Sequence, residues 1–534
     1  MRVSDAIPRT PPGLRDEWFL LVLLAARFAA GFALAARTFL NPDEAFHYWL
    51  SVQPSLRLVY QASLTSAHPP LFIFFLYFWR LLGHSELVLR LPSLLAGIGF
   101  AWVSFKWLER VADRKTASLT LILLLFSPSL IVLSAEVRQY AGLLLFMAGS
   151  IYFFDRAIAE ASHSMMSASG AALLLALLSH YSALLFALAM GIYGLARLYP
   201  LRKQGSLVGL WIGIQMVCIA ICIYLFLPHI ALLREQRMPQ DIADTWLRAS
   251  IFHPGEESLL FFFGRQTLRL FRYLFGQPAV GPVGLVFFVC GVVALIRRKV
   301  ALAGRPTPLH LSALLVMPLI INLALSSVYP YGGTRHNSFL ALFVMPAVCF
   351  GLSSLRTASR WTLPTLVIAV LAVSNLSPSP GGPYIRPEDQ QKKLMSQTMS
   401  FLRSSASPGA TIFTDYQGAL VLGYYLCNAR VVRAEPSPEP FPRFECGSYT
   451  VVTTEAYRWA FDAKDFPAQV GQMTAEYHLG PESELWLFQT GWGIMSDRAW
   501  PRTLASLGCS QPARFGGDIR VCRIGIGEPA SPTR

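Results

Sequence analysis

The sequence predicts a polytopic membrane protein, all-α through residue 376 with about eleven transmembrane helices, followed by a small α/β domain outside the membrane. Three observations predict it. The 534-residue chain is 54% hydrophobic and only 14% charged, with mean hydropathy +0.45, where a soluble domain carries about 25% charged residues. Apolar runs of near-spanning length recur up to residue 376 and then stop. Beyond Ser377-Pro378-Ser379-Pro380-Gly381-Gly382-Pro383, which has linker composition, short strand-like and helix-like segments alternate.

In order, the runs are 18–39, 87–105, 116–134, 140–154, 207–227, 279–296, 309–327, 339–354 and 361–376. The stretch 168–198 is too long for one crossing. Ser179-His180-Tyr181-Ser182 interrupts it and reads as a polar turn between two short helices, which brings the crossings to eleven. Residues 70–82 are too short to span and carry Arg80, so they predict a helix lying in the interface within the first external loop. The first run is long for a signal-peptide core and lacks a small-residue cleavage site, so it is expected to stay as an anchor.

Lysine and arginine set the orientation. Arg2, Arg9 and Arg15 precede the first run. Alternation then places Lys106, Arg110, Arg114 and Lys115, Arg156, the Arg197/Arg202/Lys203 group, the Arg297/Arg298/Lys299/Arg305 group, and Arg356 with Arg360 on the same side. The expected layout is a cytoplasmic N-terminus, a cell (inner) membrane domain over 1–376, a linker over 377–387 and an external, periplasmic domain over 388–534. Helices are expected near 388–404, 416–426 and 462–477, and strands at 410–414, 449–454, 484–490 and 519–525.

The net charge of +14 does not imply nucleic acid. Residues 377–534 hold 15 Lys+Arg and 15 Asp+Glu, so the excess lies in the membrane half, mostly at the cytoplasmic loops, and no basic stripe remains to grip a phosphate backbone. Of the eight cysteines, Cys218, Cys222, Cys290 and Cys349 fall in apolar helices. Cys427, Cys446, Cys509 and Cys522 fall in the external domain and permit two disulfides in three connectivities, of which 427–446 and 509–522 join sequence neighbours. There is no CxxC pair, HExxH helix or glycine-rich phosphate loop.

The unusual polar residues gather on the external side. FLNPDEAFHYWLS (39–51) puts Asp43, Glu44 and His47 at the end of the first crossing. His68-Pro69-Pro70, Glu86 and Arg90 share that loop. Glu136, Arg138 and Tyr140 occupy the next external turn, then come His180-Tyr181, an arginine-rich loop at 228–278, and Arg335 with His336. Singly, each has an ordinary explanation: solvation of a helix end, a proline-led first turn, or an arginine snorkelling to headgroups. Together they predict a polar cavity open to the outside, because charge at membrane depth is costly and normally faces protein.

The motifs NPDEAFHYW, HPPLF, LVLRLPSLLAG and AEVRQYAGLLLF, in that order, resemble the GT-C superfamily of polytopic glycosyltransferases. The similarity is to the bacterial branch related to protein O-mannosyltransferases and lipid A aminoarabinose transferases. It covers about 18–200; in 201–376 only TRHNSF resembles the family, and 377–534 is not covered. The second external turn reads EVRQY and lacks an aspartate found in some relatives.

The resemblance implies transfer of a sugar from a polyprenyl-phosphate donor to a protein, lipid or glycan acceptor, with inversion. It implies Asp43 as general base, with Glu44 sharing or orienting that role. His47, His68, Arg90, Glu136, Arg138, Tyr140, Arg335 and His336 are expected to bind substrate, with the arginines taking the departing phosphate. No cofactor is expected to be required, no metal ligands are named, and a need for a divalent metal is left open. The expected partners are the lipid-linked donor, the acceptor and membrane lipids, with no nucleic acid. The external domain is expected to act on the acceptor. Two other classes fit the composition: a multi-pass transporter or flippase, and a membrane-anchored sensor. The first predicts internal repeats that the sequence lacks, and the second leaves the acidic pair unexplained.

Overall fold

A computed structural model of the chain describes residues 14–202, 205–235, 243–244, 246–297, 305–355, 359, 361–376, 390–427, 439–455, 460–491, 499–509, 512–517 and 519–526. The expected linker 377–387, and Arg2, Arg9, Lys203, Arg298, Lys299, Arg356 and Arg360 among the topology signals, lie outside these residues.

The helical half begins with α1 (Leu14–Arg37), α2 (Pro42–Ser51), α3 (Leu56–Ser63), α4 (Leu71–Trp79), α5 (Glu86–Val111), α6 (Arg114–Phe126), α7 (Pro128–Ser134) and α8 (Tyr140–Glu160). It continues with α9 (His163–Leu177), α10 (Ser182–Leu198), α11 (Gly205–Glu235), α12 (Leu259–Phe275), α13 (Val280–Ile296), α14 (Pro308–Ala324), α15 (Ala341–Ser353) and α16 (Thr362–Leu376). Among the described residues, six helices are long and apolar enough to cross a membrane, and eight spans result if the bent pairs α6–α7 (60°) and α12–α13 (106°) each count as one. The protein is thus a multi-pass membrane protein. A path of eleven crossings needs α9, α14 and α16 as well, which are apolar but short.

Local chemistry explains the breaks. Pro128 stops α6 and starts α7, because proline suits a first turn and cannot continue a helix. Gly276, at φ 72°, ends α12 in the left-handed conformation that favours glycine. α13 and α15 cross closely at Gly291 and Gly351, where an added Cβ would collide with the carbonyls of Ala347 and Phe287. The loop between α1 and α5, expected to hold one short helix, holds α2 and α3 as well as α4. A 3-10 turn extends α4 to Leu82, and Phe75, Phe78, Leu81 and Leu82 are exposed along it.

Basic residues collect at one end of the bundle. Arg110 pairs with Glu160 at 2.9 Å, and Lys115 reaches the Ser353 carbonyl at 3.4 Å. Glu86 and Tyr140 begin α5 and α8, whose far ends carry Arg110 and Glu160.

The C-terminal part contains α17 (Lys392–Ser405), α18 (Tyr416–Leu422), α19 (Phe466–Glu476) and α20 (Trp500–Ser506), with strands β1 (Thr411–Thr414), β2 (Arg443–Cys446), β3 (Tyr449–Thr453), β4 (Leu485–Thr490), β5 (Ala513–Phe515) and β6 (Ile519–Ile524). The sheet order is β2-β3-β1-β4-β6-β5. β3, β1 and β4 are parallel, with antiparallel strands at both edges. β2, β5 and α20 were not expected. Disulfides join Cys427 to Cys446 and Cys509 to Cys522.

This domain is docked on α2. One apolar core runs through Phe39, Leu40, Phe46 and Trp49 of the membrane half into Met399, Ile412, Leu420 and Phe488 of the sheet domain. Polar bonds fix the docking. The Trp49 indole donates to the Leu420 carbonyl at 2.9 Å, the Leu40 amide to the Tyr425 hydroxyl at 2.7 Å, and Phe39 N to the Gln390 carbonyl at 2.8 Å. The Tyr425 hydroxyl and Lys392 both bond Glu86, at 3.0 and 2.9 Å. Burying a large apolar side chain stabilises by about 1.5–3 kcal/mol, and Phe39, Leu40, Trp49 and Leu50 are all at most 2% exposed. A chain ending at Asn375 is therefore expected to melt at a clearly lower temperature in detergent than the full chain. An unchanged melting temperature would show that α2 holds without the sheet domain.

Candidate active site

The site is built from α2 outward. Pro42 opens the helix, the Asn41 side chain accepts from Glu44 N at 3.0 Å, and the Glu44 carboxylate accepts from Asn41 N at 3.0 Å, a reciprocal cap. Asp43 and Glu44 thus sit in one first turn but point to different neighbours.

Glu44 is 1% exposed and committed on every side. Its Oε1 accepts from Arg90 Nε at 2.7 Å and Val137 N at 2.8 Å. Its Oε2 accepts from Arg90 Nη2 at 2.7 Å as well as from Asn41. Arg90, also 1% exposed, spends its remaining donors on the carbonyls of Ala35, Thr38 and Phe39 at 2.7–2.8 Å and on the Thr38 hydroxyl at 3.0 Å. A guanidinium has five N–H groups, and all are engaged. Two expectations are corrected here. Glu44 has no free oxygen with which to share a base's role, and Arg90 has no donor left for substrate; both instead position the end of α1, the start of α2 and the turn at Val137.

Asp43 faces the opposite way. Its Oδ2 lies 2.5 Å from Arg138 Nη1 and 2.6 Å from Arg335 Nη2. Burial alone would raise this carboxyl, but the two guanidiniums outweigh burial and hold it down at about 2. His47 Nδ1 donates to the Asp43 carbonyl at 2.7 Å, so its Nε2 carries the lone pair. Burial, and then Arg138, push His47 down to about 3, which keeps it neutral.

Three further imidazoles complete the floor. The His68 ring is 5.9 Å from His47 and 5.0 Å from His180, and His180 is 5.8 Å from His336. Tyr140 stands among them, 5.1 Å from His180 and 6.4 Å from both His68 and His336, with the Arg138 guanidinium 5.5 Å from its ring. Burial lowers His68 well below its ordinary value and His180 to about 3. The Tyr140 hydroxyl, His68 Nδ1 and His336 Nδ1 are buried and have no hydrogen-bond partner among the described residues.

Glu136, half-buried in the turn before Tyr140, is raised to about 7 by burial and by the Glu44 carboxylate. No group of three or more His, Cys, Asp or Glu side chains among the described residues has metal-holding geometry.

Arg335 and His336 come from a 3-10 turn (Arg335–Leu340) anchored by Asn337. Its side chain accepts from Asn322 Nδ2 at 2.6 Å and donates to the Gly332 carbonyl at 3.0 Å. Gly332, at φ 117°, is a backbone position that favours glycine.

All ten residues singled out in the sequence therefore converge, from loops that lie far apart in the chain. Eight face the Asp43 side, and Glu44 and Arg90 form the support behind it. His180 was missed as a site residue; its signal was the Ser-His-Tyr-Ser turn between two apolar stretches. The geometry offers two clustered guanidiniums suited to an anion, a carboxylate held between them, and neutral imidazoles suited to hydroxyl groups.

Removing one partner of a buried ion pair costs about 3–5 kcal/mol. Arg90→Leu is therefore expected to lower the melting temperature sharply, and more than Asp43→Asn does; equal effects would mean that the Glu44–Arg90 pair is not the support. Glu136 gives a pH signature. A carboxyl raised from 4.5 to about 7 on folding contributes stability that is complete below 4.5 and lost as pH rises through 7. Glu136→Gln is expected to match the wild type in melting temperature near pH 4.5 and exceed it at pH 8, and parallel curves across that window would sink the assignment.

Residues 67–231 match the family model described as dolichyl-phosphate-mannose-protein mannosyltransferase. No curated protein matches the sequence. Among solved structures, the fold is similar to that of ArnT from Cupriavidus metallidurans in the apo state, with TM-score 0.53 and 13% identity over 95% of this chain and 98% of that one. The same protein bound to undecaprenyl phosphate gives TM-score 0.54 and 14% identity over the same shares. The oligosaccharyltransferase AglB from Archaeoglobus fulgidus, in complex with an inhibitory peptide and a dolichol-phosphate, gives TM-score 0.48 and 9% identity over 89% and 70%. The match to the mannosyltransferase family model thus covers the segment that carries His68, Arg90, Arg138, Tyr140 and His180, and nearly the whole chain shares its fold with ArnT.

Proposed function

We propose that the protein transfers a sugar from a polyprenyl-phosphate carrier to an acceptor hydroxyl on the external face of the membrane, with inversion and with Asp43 as general base. The observation that carries this reading is the Asp43 carboxylate shared between Arg138 and Arg335 at the mouth of a helical bundle. A similar fold that binds undecaprenyl phosphate supports the donor class.

Held between both guanidiniums, Asp43 is a poor base, because they stabilise its charge. A donor phosphate offers those guanidiniums a competing anion and releases the carboxylate, whose affinity for a proton then rises. The base is thereby armed by the arrival of its own substrate. The acceptor hydroxyl gives its proton to Asp43 while its oxygen bonds the anomeric carbon, and the bond from that carbon to the phosphate oxygen breaks on the opposite face. The polyprenyl phosphate leaves with its new charge held by Arg138 and Arg335. His47, His68, His180, His336 and Tyr140, buried beside this pair, suit the hydroxyls of a neutral sugar.

The positive-inside distribution supports an N-terminus in the cytoplasm and a sheet domain, docked beside the site, on the external side. Lipid-linked donors are to be supplied to right-side-out vesicles, with candidate acceptors outside. Wild type is expected to consume donor, and Asp43→Asn to lose about 10²–10⁴-fold in rate with insertion unchanged. Arg138→Ala and Arg335→Ala are expected to weaken donor binding. An Asp43→Asn variant as fast as wild type would remove Asp43 from the chemistry, and transfer only to acceptors enclosed within the vesicles would reverse the orientation.

A further inference from the structure

The arginine-rich segment ahead of α13 takes no part in the site described so far. Its helix, α12, is bent 106° from α13, so with α13 crossing the membrane α12 runs along its surface. It does so at the site end, because α13 leads from there to Arg297 at the basic end. One side of α12 is buried through Phe262, Gln266, Leu270, Phe271 and Leu274, while Leu260 is 84% and Phe261 63% exposed. Along the outer side Arg265, Arg269 and Arg272 follow at spacings of four and three residues, which makes one stripe. Arg265 is tied to Glu257 at 2.9 Å and lies 5.4 Å from the Phe261 ring. Arg269 and Arg272 are exposed, and their guanidiniums make no ion pair or hydrogen bond among the described residues.

The inner side of α12 carries the turn that delivers Arg335. Thr267 and Tyr331 share a hydroxyl bond of 2.8 Å, Gly332 packs on Gln266, and a Cβ on Gly333 would lie 2.6 Å from the Arg269 carbonyl. The two unpaired arginines therefore sit on the helix against which the phosphate-facing arginine is mounted.

We propose that Arg269 and Arg272 form an outer capture site for the phosphate of the polyprenyl carrier, from which it passes to Arg335 and Arg138. The inference rests on the donor class proposed above. Exposed leucine and phenylalanine at the start of α12 hold the helix in the acyl boundary, which sets its arginines at headgroup depth. Both charges point the same way and no carboxylate answers them, so the surface complements an anion. Any anionic headgroup satisfies that chemistry; proximity to the Arg335 turn selects the carrier. Charges at a rim change chiefly how fast a ligand arrives, whereas buried charges change how fast it leaves.

The test uses the full chain in phosphatidylcholine nanodiscs, with polyprenyl monophosphate as the probe and stopped-flow tryptophan fluorescence as the readout. The Arg269→Ala/Arg272→Ala double variant is expected to bind about tenfold more slowly with dissociation unchanged, and the double Lys variant to stay near wild type. Arg335→Ala should show the reverse, with fast arrival and fast release. Association as fast as wild type in the double Ala variant overturns the proposal. So does a slowing that appears only once phosphatidylglycerol is added, which would assign the stripe to bulk lipid. A wild type that does not bind the probe at all fails the donor reading itself; a wild type that binds, beside an unimpaired double variant, fails the capture site alone.

Discussion

The buried Glu44–Arg90 pair is the interaction on which the rest of the site depends. Taking two charges out of water costs several kcal/mol per ion, and their attraction offsets this only when the remaining lone pairs and protons are satisfied. Here they are, by two backbone amides on the carboxylate and by three carbonyls and a hydroxyl on the guanidinium. The pair thereby pins the last turn of α1, the first of α2, the start of α5 and the turn between α7 and α8. Once α2 is fixed in this way, Asp43 must face Arg138.

Two adjacent acids consequently have opposite electrostatic fates. Glu44 is neutralised by a partner that cannot leave, because Arg90 is bonded on all sides. Asp43 is neutralised by two partners that an incoming anion can take, because Arg335 is 25% exposed and Asp43 13%. The surrounding imidazoles stay neutral chiefly because they are buried, and the guanidiniums that keep the carboxylate charged add to this by disfavouring further cations. Apart from the closed Glu44–Arg90 pair, the pocket is left with a positive balance wherever Glu136 is protonated.

The membrane half, and the gathering of polar residues on one side of it, were legible in the sequence because each rests on local chemistry: apolar run length, lysine and arginine placement, and proline and glycine breaks. The ten site residues were legible as a set because topology alone brings their loops to one end. Their division of labour was not. Nothing in the string Asp43-Glu44 says which carboxylate Arg90 will close on, since that depends on a partner 46 positions away. His180 was passed over because a histidine in a short polar turn has an ordinary explanation until three other rings are seen around it. The edge strands β2 and β5 were missed because four and three residues carry too little alternation to register. The docking of the sheet domain on α2 left no mark on either segment alone, because an apolar face reads the same whether lipid or protein covers it.

The core shared between α2 and the sheet domain also sets an order of events during synthesis. Phe39, Phe46 and Trp49 leave the ribosome long before Met399, Ile412 and Leu420 exist to cover them. At about 5–20 residues per second, the intervening chain takes on the order of 20–70 seconds to make. For that interval the bundle can insert and pack, yet the helix bearing Asp43 has no finished surface beneath it. The Asp43 end of the bundle is thus the last part to mature, and its apolar residues need lipid or a chaperone as temporary cover until the C-terminal domain has closed over them.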